Sequence, residues 1–414
     1  MKILQINNYH HVKGGSDTVY LNTGQLLEKM GDEVIYFSTA NEENVQEGSN
    51  SYFIKTSDPN EGGVFSKLMR IPSFIYSSKS YDSLKRLLKS EKPDIAHLHI
   101  FYGQLTSSVL KALREEKVPI VMTVHEYRML CPVSVLMNNN GEVCEKCAGN
   151  SYWPCVVSKC NKGNYAFSAI SAMESAFRDK FFDYKEYVDH FIMVSQFIKR
   201  KHSQYFPDIE NKSSILYNFQ SIPKIKSDSR IEVDLVFFGR LSREKGILTL
   251  LQALVRRKWI SLKIIGAGPE EAEINEFIEV NSLQNVHLLG FCKGDDLWEN
   301  INSAKFAVVP SECYENNPMT VIESFFLGVP VIGSDIGGIP ELINKKNGFI
   351  FQPGKIDHLI EKIDEALNLN SQDYTLLSDN AKLFAKENFS ESHHYKKLLN
   401  IYKKAMKNQS ILNE

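Results

Sequence analysis

The stretch SECYENNPMTVIES, Ser311–Ser324, follows the apolar run FAVVP and sets two glutamates, Glu315 and Glu323, eight positions apart around Asn-Asn-Pro. FAVVP reads as a buried strand. Asn317-Pro318 reads as a helix start, since Asn caps a helix and Pro fits the first helical position, having no N–H to leave unsatisfied. The backbone N–H groups of Met319, Thr320 and Val321 would then stand open at a helix N-terminus, where the dipole favours an anion. Glu323 falls further along the same helix, roughly 7.5 Å down its axis. That is the separation of a diphosphate from the ribose of a nucleotide, and a carboxylate there can accept both hydroxyls of a ribose diol. Glu315, in the preceding loop, can hydrogen-bond hydroxyls on the other side of the diphosphate. Taken alone, the two glutamates are equally well a solvated loop residue and a helix-surface charge, so their neighbours have to decide.

Short apolar runs alternate with helical patterns along most of the 414 residues. KILQI, EVIYF, DIAHLHI, PIVMTV and FIMVS read as strands of a first half, with helical segments such as SDTVYLNTGQLLEKM and YDSLKRLLKSE between them. VDLVFFG, SLKIIGAG, NVHLLG, KFAVVP and PVIGS repeat the scheme in a second half. Continuous apolar strands alternating with helices predict parallel sheets covered on both faces, the doubly wound α/β class. The length exceeds one hydrophobic core, so two domains are expected. The polar segment 218–230 separates the two series. The division is therefore 1–217, 218–390 and a C-terminal helix, 391–414, that reaches back to the first domain. Side by side, two such domains would form a cleft at the carboxyl ends of their strands, where open parallel sheets bind ligands.

A hydrophobic fraction of 43% and a charged fraction of 24% are those of an ordinary globular protein. The net charge of −2 argues against a nucleic-acid partner held by counterion release. No apolar run approaches the roughly 18 residues that span a bilayer. The first residues, MKILQINNYHH, enter a strand directly and lack the pattern of a signal peptide, which points to the cytoplasm.

Around the glutamates lie other strand-end turns. VFFGRLSREKG places Arg240 and Lys245 between a strand and a helix, where two cations can hold a phosphate pair and neutralise a departing diphosphate. KIIGAGPEE adds a strand–glycine–helix turn with Gly266 and Gly268, but Glu271 stands where a dinucleotide fingerprint has its third glycine. GSDIGGIPE is another glycine turn after a strand.

In their order and spacing, FFGRLSREKG, IIGAGP, ECYENNPMTVIES and GVPVIGSDIGGIPE resemble the retaining glycosyltransferases of family 4, with a looser match in the first half. The resemblance implies a GT-B fold of two Rossmann-like domains. It also implies transfer of a sugar from a nucleoside-diphosphate sugar to a hydroxyl acceptor, such as a surface polysaccharide (lipopolysaccharide or capsule) or a lipid-linked glycan. It assigns Glu323 to the ribose, Glu315 to the donor sugar, and Arg240 and Lys245 to the leaving diphosphate. Donor contacts would come from Gly15, Gly239, Gly268, Asn316, Asn317, Pro318, Met319 and Thr320. In the first half it places the Gly14-Gly15 loop, ahead of a helix capped by Ser16 or Asp17, beside the reaction centre, and His125 of VMTVHEYRMLC on the donor sugar. His97 and His99 share one strand face and read as packing or loop-orienting residues. No catalytic metal is implied, and no D-x-D-type pair stands out.

Two features lie beside this scheme. Phe65–Lys92 carries seven basic and two acidic residues among aromatics and leucines, and could rest on the inner leaflet of a membrane. Five of the seven cysteines fall within 131–160. Cys144-x-x-Cys147, with Cys131 and Cys160 (or Cys155), has the spacing of a structural zinc site in an insertion. Two rival functions remain open, a nucleotide-sugar epimerase on a similar scaffold and a non-catalytic sugar-nucleotide-binding protein.

Overall fold

The computed structural model describes residues 1–45, 51–55, 71–221 and 231–412. The chain divides into two compact units, one of Met1–Leu216 with Tyr395–Glu414, the other of Tyr217–His394. Each is a doubly wound α/β unit around a six-stranded parallel sheet.

The first sheet runs β2-β1-β5-β6-β7-β8. Its strands are β1 (Lys2–Ile6), β2 (Glu33–Phe37), β5 (Ile95–Leu98), β6 (Ile120–Val124), β7 (His190–Met193) and β8 (Ser213–Ile215). A two-stranded parallel pair, β3 (Thr39–Ala40) and β4 (Ile54–Lys55), lies apart from it. The second sheet runs β11-β10-β9-β12-β13-β14, from β9 (Val233–Phe238), β10 (Leu262–Ile265), β11 (Val286–Leu288), β12 (Ala304–Val309), β13 (Val331–Ser334) and β14 (Gly348–Phe351). Every pairing in both sheets is parallel. The apolar runs of the sequence match ten of these strands. The edge strands β8 and β14 are not among those runs, and Ser213-Ser214-Ile215 has no apolar run to mark it.

Alternation along the strands divides the second unit's interior into two layers. Leu235 and Phe237 of β9 and Phe306 and Val308 of β12 pack with Leu250, Leu254 and Ile363. Val236, Phe238, Ala307 and Val309 turn to the other side and pack with Val321, Ile322, Phe325 and Phe389. Period-two side chains buried on both faces are what a parallel sheet between helix layers requires.

The helix Glu391–Leu412 begins in the second unit and continues into the first. There Leu398, Ile401, Tyr402 and Ala405 complete a core with Ile3, Leu27, Ile95, Val121, Ile192 and Leu216. Among the described residues no helix is long and apolar enough to cross a membrane.

In both sheets the strand order reverses beside the first strand of the unit, at β1/β5 and at β9/β12. Such reversals open a crevice at the carboxyl ends of the strands.

Tyr402 is fully buried and its Oη lies 2.8 Å from His97 Nδ1. Tyr402→Ala is expected to lower stability by about 3–5 kcal/mol through lost packing and the lost hydrogen bond to His97, read as a reduced urea midpoint.

Candidate active site

In the second unit the turn after β9 and the loop after β12 lie at the carboxyl ends of neighbouring strands. Lys245, in the turn Arg243–Lys245, reaches across to Glu315, Nζ to Oε1 2.5 Å. Ser311 Oγ donates to the same oxygen at 2.7 Å. The Glu312 N–H donates to Glu244 O at 2.9 Å, so backbone as well as side chains join the two segments. Burial works to raise the Glu315 pKa, but the Lys245 charge and the two hydrogen bonds hold it below the ordinary carboxylate value. Burial likewise works to lower the Lys245 pKa, and Glu315 holds it above the ordinary lysine value. Both partners are ionised at neutral pH. Arg240 stands exposed at the end of β9.

Close backbone approach fixes this geometry. Gly246 has φ 68°, and a Cβ there would lie 2.0 Å from Pro310 O. Gly337, in the loop after β13, has φ 64° and the N–H of Gly338 donates to Glu315 O at 2.6 Å. A Cβ on Gly337 would meet that same oxygen at 2.3 Å. At Gly268, expected at the donor, a Cβ would lie 2.2 Å from Leu241 O, so only glycine fits there. Gly239 donates its N–H to Ile265 O at 2.9 Å.

The helix after the loop runs Met319–Leu327, with Pro318 as its N-cap and no side-chain cap. Asn317 therefore does not cap it. Its Oδ1 accepts the Asn218 N–H at 2.7 Å and its backbone O accepts Asn218 Nδ2 at 3.1 Å. Its own Nδ2 is buried without a hydrogen-bond partner among the described residues. Asn316, Met319 and Thr320 are half-buried on either side of this start. Glu323 lies one turn into the helix, and desolvation by burial raises its pKa to about 7. An uncapped helix start, an ammonium and a desolvated carboxylate are thus gathered at the reversal point of the sheet. Such a set can hold an anion and a diol.

In the first unit a hydrogen-bonded chain runs beneath the strand ends. His125 Nε2 lies 2.9 Å from His99 Nδ1, the two rings stacked at 5.1 Å. His99 Nε2 lies 3.0 Å from Gln5 Oε1, and His97 Nε2 lies 2.7 Å from Thr123 Oγ1. Since the Gln5 oxygen can only accept, His99 carries its proton on Nε2, which makes His125 the donor in the next link. His125 is held as the Nε2–H tautomer. Burial drops its pKa to about 3.

The helix Gly15–Lys29 has Gly14, not Ser16 or Asp17, as its N-cap. Asp17 is buried within the first turn, receives Asn7 Nδ2 at 2.8 Å and accepts from the Lys13 and Gly14 backbone, so it pins the glycine loop from inside. Burial raises the Asp17 pKa and, close by, that of Glu126. Sequence reasoning overlooked Glu126 and Ser311, and took Asp17 only as a possible cap. Only the spacing of Asp17 from the Gly-Gly pair and the i, i+4 relation of Ser311 to Glu315 hint at them.

The cysteines of the expected zinc set lie near one another, and Cys131, Cys144, Cys155 and Cys160 all act on the Cys147 thiol. Cys147 and Cys155 are buried with Tyr152 and Ala172, and Cys160 packs against them. Cys131 and Cys144, like the others, are free thiols. Among the described residues no three His, Cys, Asp or Glu side chains are grouped to hold a metal ion. Desolvation, together with Cys131, pushes the Cys147 thiol up to about 12.

Two measurements follow from these environments. Glu323 stays protonated in the folded chain up to about pH 7, whereas the unfolded chain ionises it from 4.5. Its burial therefore costs nothing below that range, and the cost is complete above pH 7. Glu323→Gln is expected to raise the melting temperature at pH 8, by about 1 kcal/mol or more, and to leave it unchanged at pH 4.5. For His125 the native pKa of about 3 lies below the 6.5 of the unfolded chain, so its contribution to stability is complete above pH 6.5 and is lost as pH falls towards 3. Its imidazole resonances are expected to show no titration between pH 8 and 5 by NMR.

A family model described as Glycosyltransferase Family 4 matches residues 13–219, and one described as Glycosyl transferases group 1 matches residues 221–384. An uncharacterized glycosyltransferase of Methanocaldococcus jannaschii is 24% identical over 390 residues, 94% of each chain. The O-antigen chain mannosyltransferase C of Escherichia coli is 26% identical over 178 residues, 42% of this chain and 47% of its own. Among solved structures, sucrose-phosphate synthase from Thermosynechococcus elongatus aligns with a TM-score of 0.71 at 17% identity, over 97% of this chain and 98% of that one. Anabaena HepE, solved in complex with UDP, aligns with a TM-score of 0.66 at 16% identity, over 97% and 99%. At these identities the structural likeness speaks for the GT-B fold, while the family models speak for the activity. The chain belongs to glycosyltransferase family 4 and is a glycosyltransferase of GT-B fold.

Proposed function

We propose that the chain is a retaining glycosyltransferase that moves a sugar from a nucleoside-diphosphate sugar to a hydroxyl of a polysaccharide or lipid-linked glycan intermediate. The observation that carries this reading is the Lys245–Glu315 pair at the β9/β12 reversal, beside an uncapped helix start and the desolvated Glu323. The O-antigen mannosyltransferase among the relatives and the UDP complex of the Anabaena neighbour support the classes of acceptor and donor.

The donor's diphosphate lies against the backbone N–H groups at Met319 and Thr320, and Glu323 accepts the ribose hydroxyls. When the anomeric C–O bond breaks, its electron pair leaves with the diphosphate. Lys245, kept charged and in place by Glu315, stabilises that charge together with Arg240. The acceptor hydroxyl oxygen forms the new bond to the anomeric carbon and passes its proton to an oxygen of the departing diphosphate. Glu315 bonds hydroxyls of the donor sugar, and His125, fixed as one tautomer, serves sugar recognition in the first unit. Catalysis comes from orientation and leaving-group stabilisation, with no side-chain nucleophile.

A thermal-shift panel of nucleoside diphosphates and their sugars tests this. One base is expected to stabilise the chain, by about 2.7 kcal/mol at a hundredfold excess over Kd, and Glu323→Ala abolishes the shift. Lys245→Ala is expected to lower kcat by about 10²–10³. Unchanged transfer by that variant overturns the leaving-group role, and conversion of donor sugar without acceptor identifies an epimerase instead.

A further inference from the structure

The helix Tyr165–Phe181 in the first unit is built inside out. Its buried residues are Ser168, Ser171, Ala172, Glu174, Ser175 and Arg178, nearly all polar or charged. Its opposite side carries Ala166, Ile170, Met173, Ala176, Phe177 and Phe181 at i, i+3, i+4 and i+7 spacing. Met173 is 56% exposed and Phe181 52%. An ordinary surface helix shows the reverse pattern.

The buried polar side is well anchored. Arg128 Nη2 lies 2.5 Å from Glu174 Oε2, Arg178 pairs with Asp179 at 2.9 Å, and Asn161 Nδ2 donates to Ser171 Oγ at 2.8 Å. The helix is therefore fixed with its apolar side outward, and rolling it over would carry Glu174 away and leave buried Arg128 without that partner. The short helix before it, Trp153–Val157, adds Trp153 at 71% and Val157 at 57% exposure.

Lysines frame this surface. Lys159 Nζ sits 4.5 Å from the Tyr165 ring centroid, Lys162 Nζ 5.6 Å from Phe167 and Lys180 Nζ 5.4 Å from Phe181. Between residues 151 and 182 the only acids are Glu174, buried, and Asp179, paired with Arg178. The exposed charge is all positive.

We propose that this face seats on an anionic bilayer surface. Trp153, Met173, Phe177 and Phe181 enter the boundary between headgroups and acyl chains, and Lys159, Lys162 and Lys180 meet lipid phosphates. A second copy of the chain fits less well, because lysines are depleted at protein interfaces and a two-fold contact would bring these together. The basic stretch that the sequence suggested for membrane contact is described only in part, and its short helix Ile71–Ile75 has no buried residue. Residues 65–70 lie outside the described residues, and the helix Ser78–Glu91 buries its Leu84, Leu87 and Leu88. The proposal does not depend on the nucleotide site.

Vesicle flotation tests it with the full chain, using vesicles of phosphatidylglycerol and phosphatidylcholine in equal parts against phosphatidylcholine alone. The chain is expected to float with the anionic vesicles only. The triple variant Trp153→Ser, Met173→Ser, Phe181→Ser is expected to lose at least about tenfold in vesicle affinity, and Lys162→Glu with Lys180→Glu to lose the preference for anionic lipid. All these positions are exposed, so the melting temperature and the nucleotide-induced thermal shift should stay as in the parent, which separates this result from failure of the donor site. Lys79→Glu with Lys89→Glu, on the Ser78–Glu91 helix, should have no effect. Failure of the parent chain to float, equal flotation of the triple variant, or loss of a dimer in place of vesicle binding would each overturn the proposal.

Discussion

The second unit is organised around one ion pair at the point where its sheet changes direction. β9 is laid down first, the chain builds outward through β10 and β11, and then returns to place β12 on the other side of β9. Lys245 follows β9 and Glu315 follows β12, so a contact of 2.5 Å bridges segments 70 residues apart in sequence. A half-buried pair of this kind is costly to break from one side, since the remaining charge stays desolvated, at about 3–5 kcal/mol. The pair holds both segments in register and leaves an ammonium with a fixed position at the strand ends. Any charge that develops there meets a cation that needs no reorganisation.

Backbone approach at Gly246 and Gly337 makes the same arrangement rigid. Loops usually carry function on a stable scaffold, and here the loops are themselves packed main chain to main chain. The glycine at 268 serves this packing too, since a Cβ there would meet Leu241 O at 2.2 Å. The cost of the arrangement appears at Glu323, a carboxylate with nothing among the described residues to offset its desolvation. Groups held at such a disadvantage are characteristic of sites whose ligand supplies the missing partner.

The first unit uses neutral polar groups instead. His125, His99, Gln5, His97 and Tyr402 form a buried chain that sets protonation by donor and acceptor matching rather than by charge. Charge enters this unit through Arg128, Glu174 and Arg178, and it is spent on fixing a helix whose exposed side is apolar. The two units thus share a topology and differ in electrostatic design.

The alternation of apolar runs with helical periods was enough to determine the fold class, because parallel strands buried on both faces have to be continuously apolar. Glu315, Lys245 and Arg240 could be singled out because they follow β9 and β12, and Glu323 because it falls in the helix after the β12 loop. Tertiary structure decided what depends on contacts distant in sequence. Asn317 serves Asn218 rather than the helix start, as its amide is claimed by a segment 99 residues earlier. The desolvation that raises the Cys147, Cys155 and Cys160 thiols is likewise a property of the folded surroundings and not of their spacing. The outward apolar side of Tyr165–Phe181 could not be read from its sequence, because a helix of mixed pattern shows two sides and only its neighbours determine which is buried.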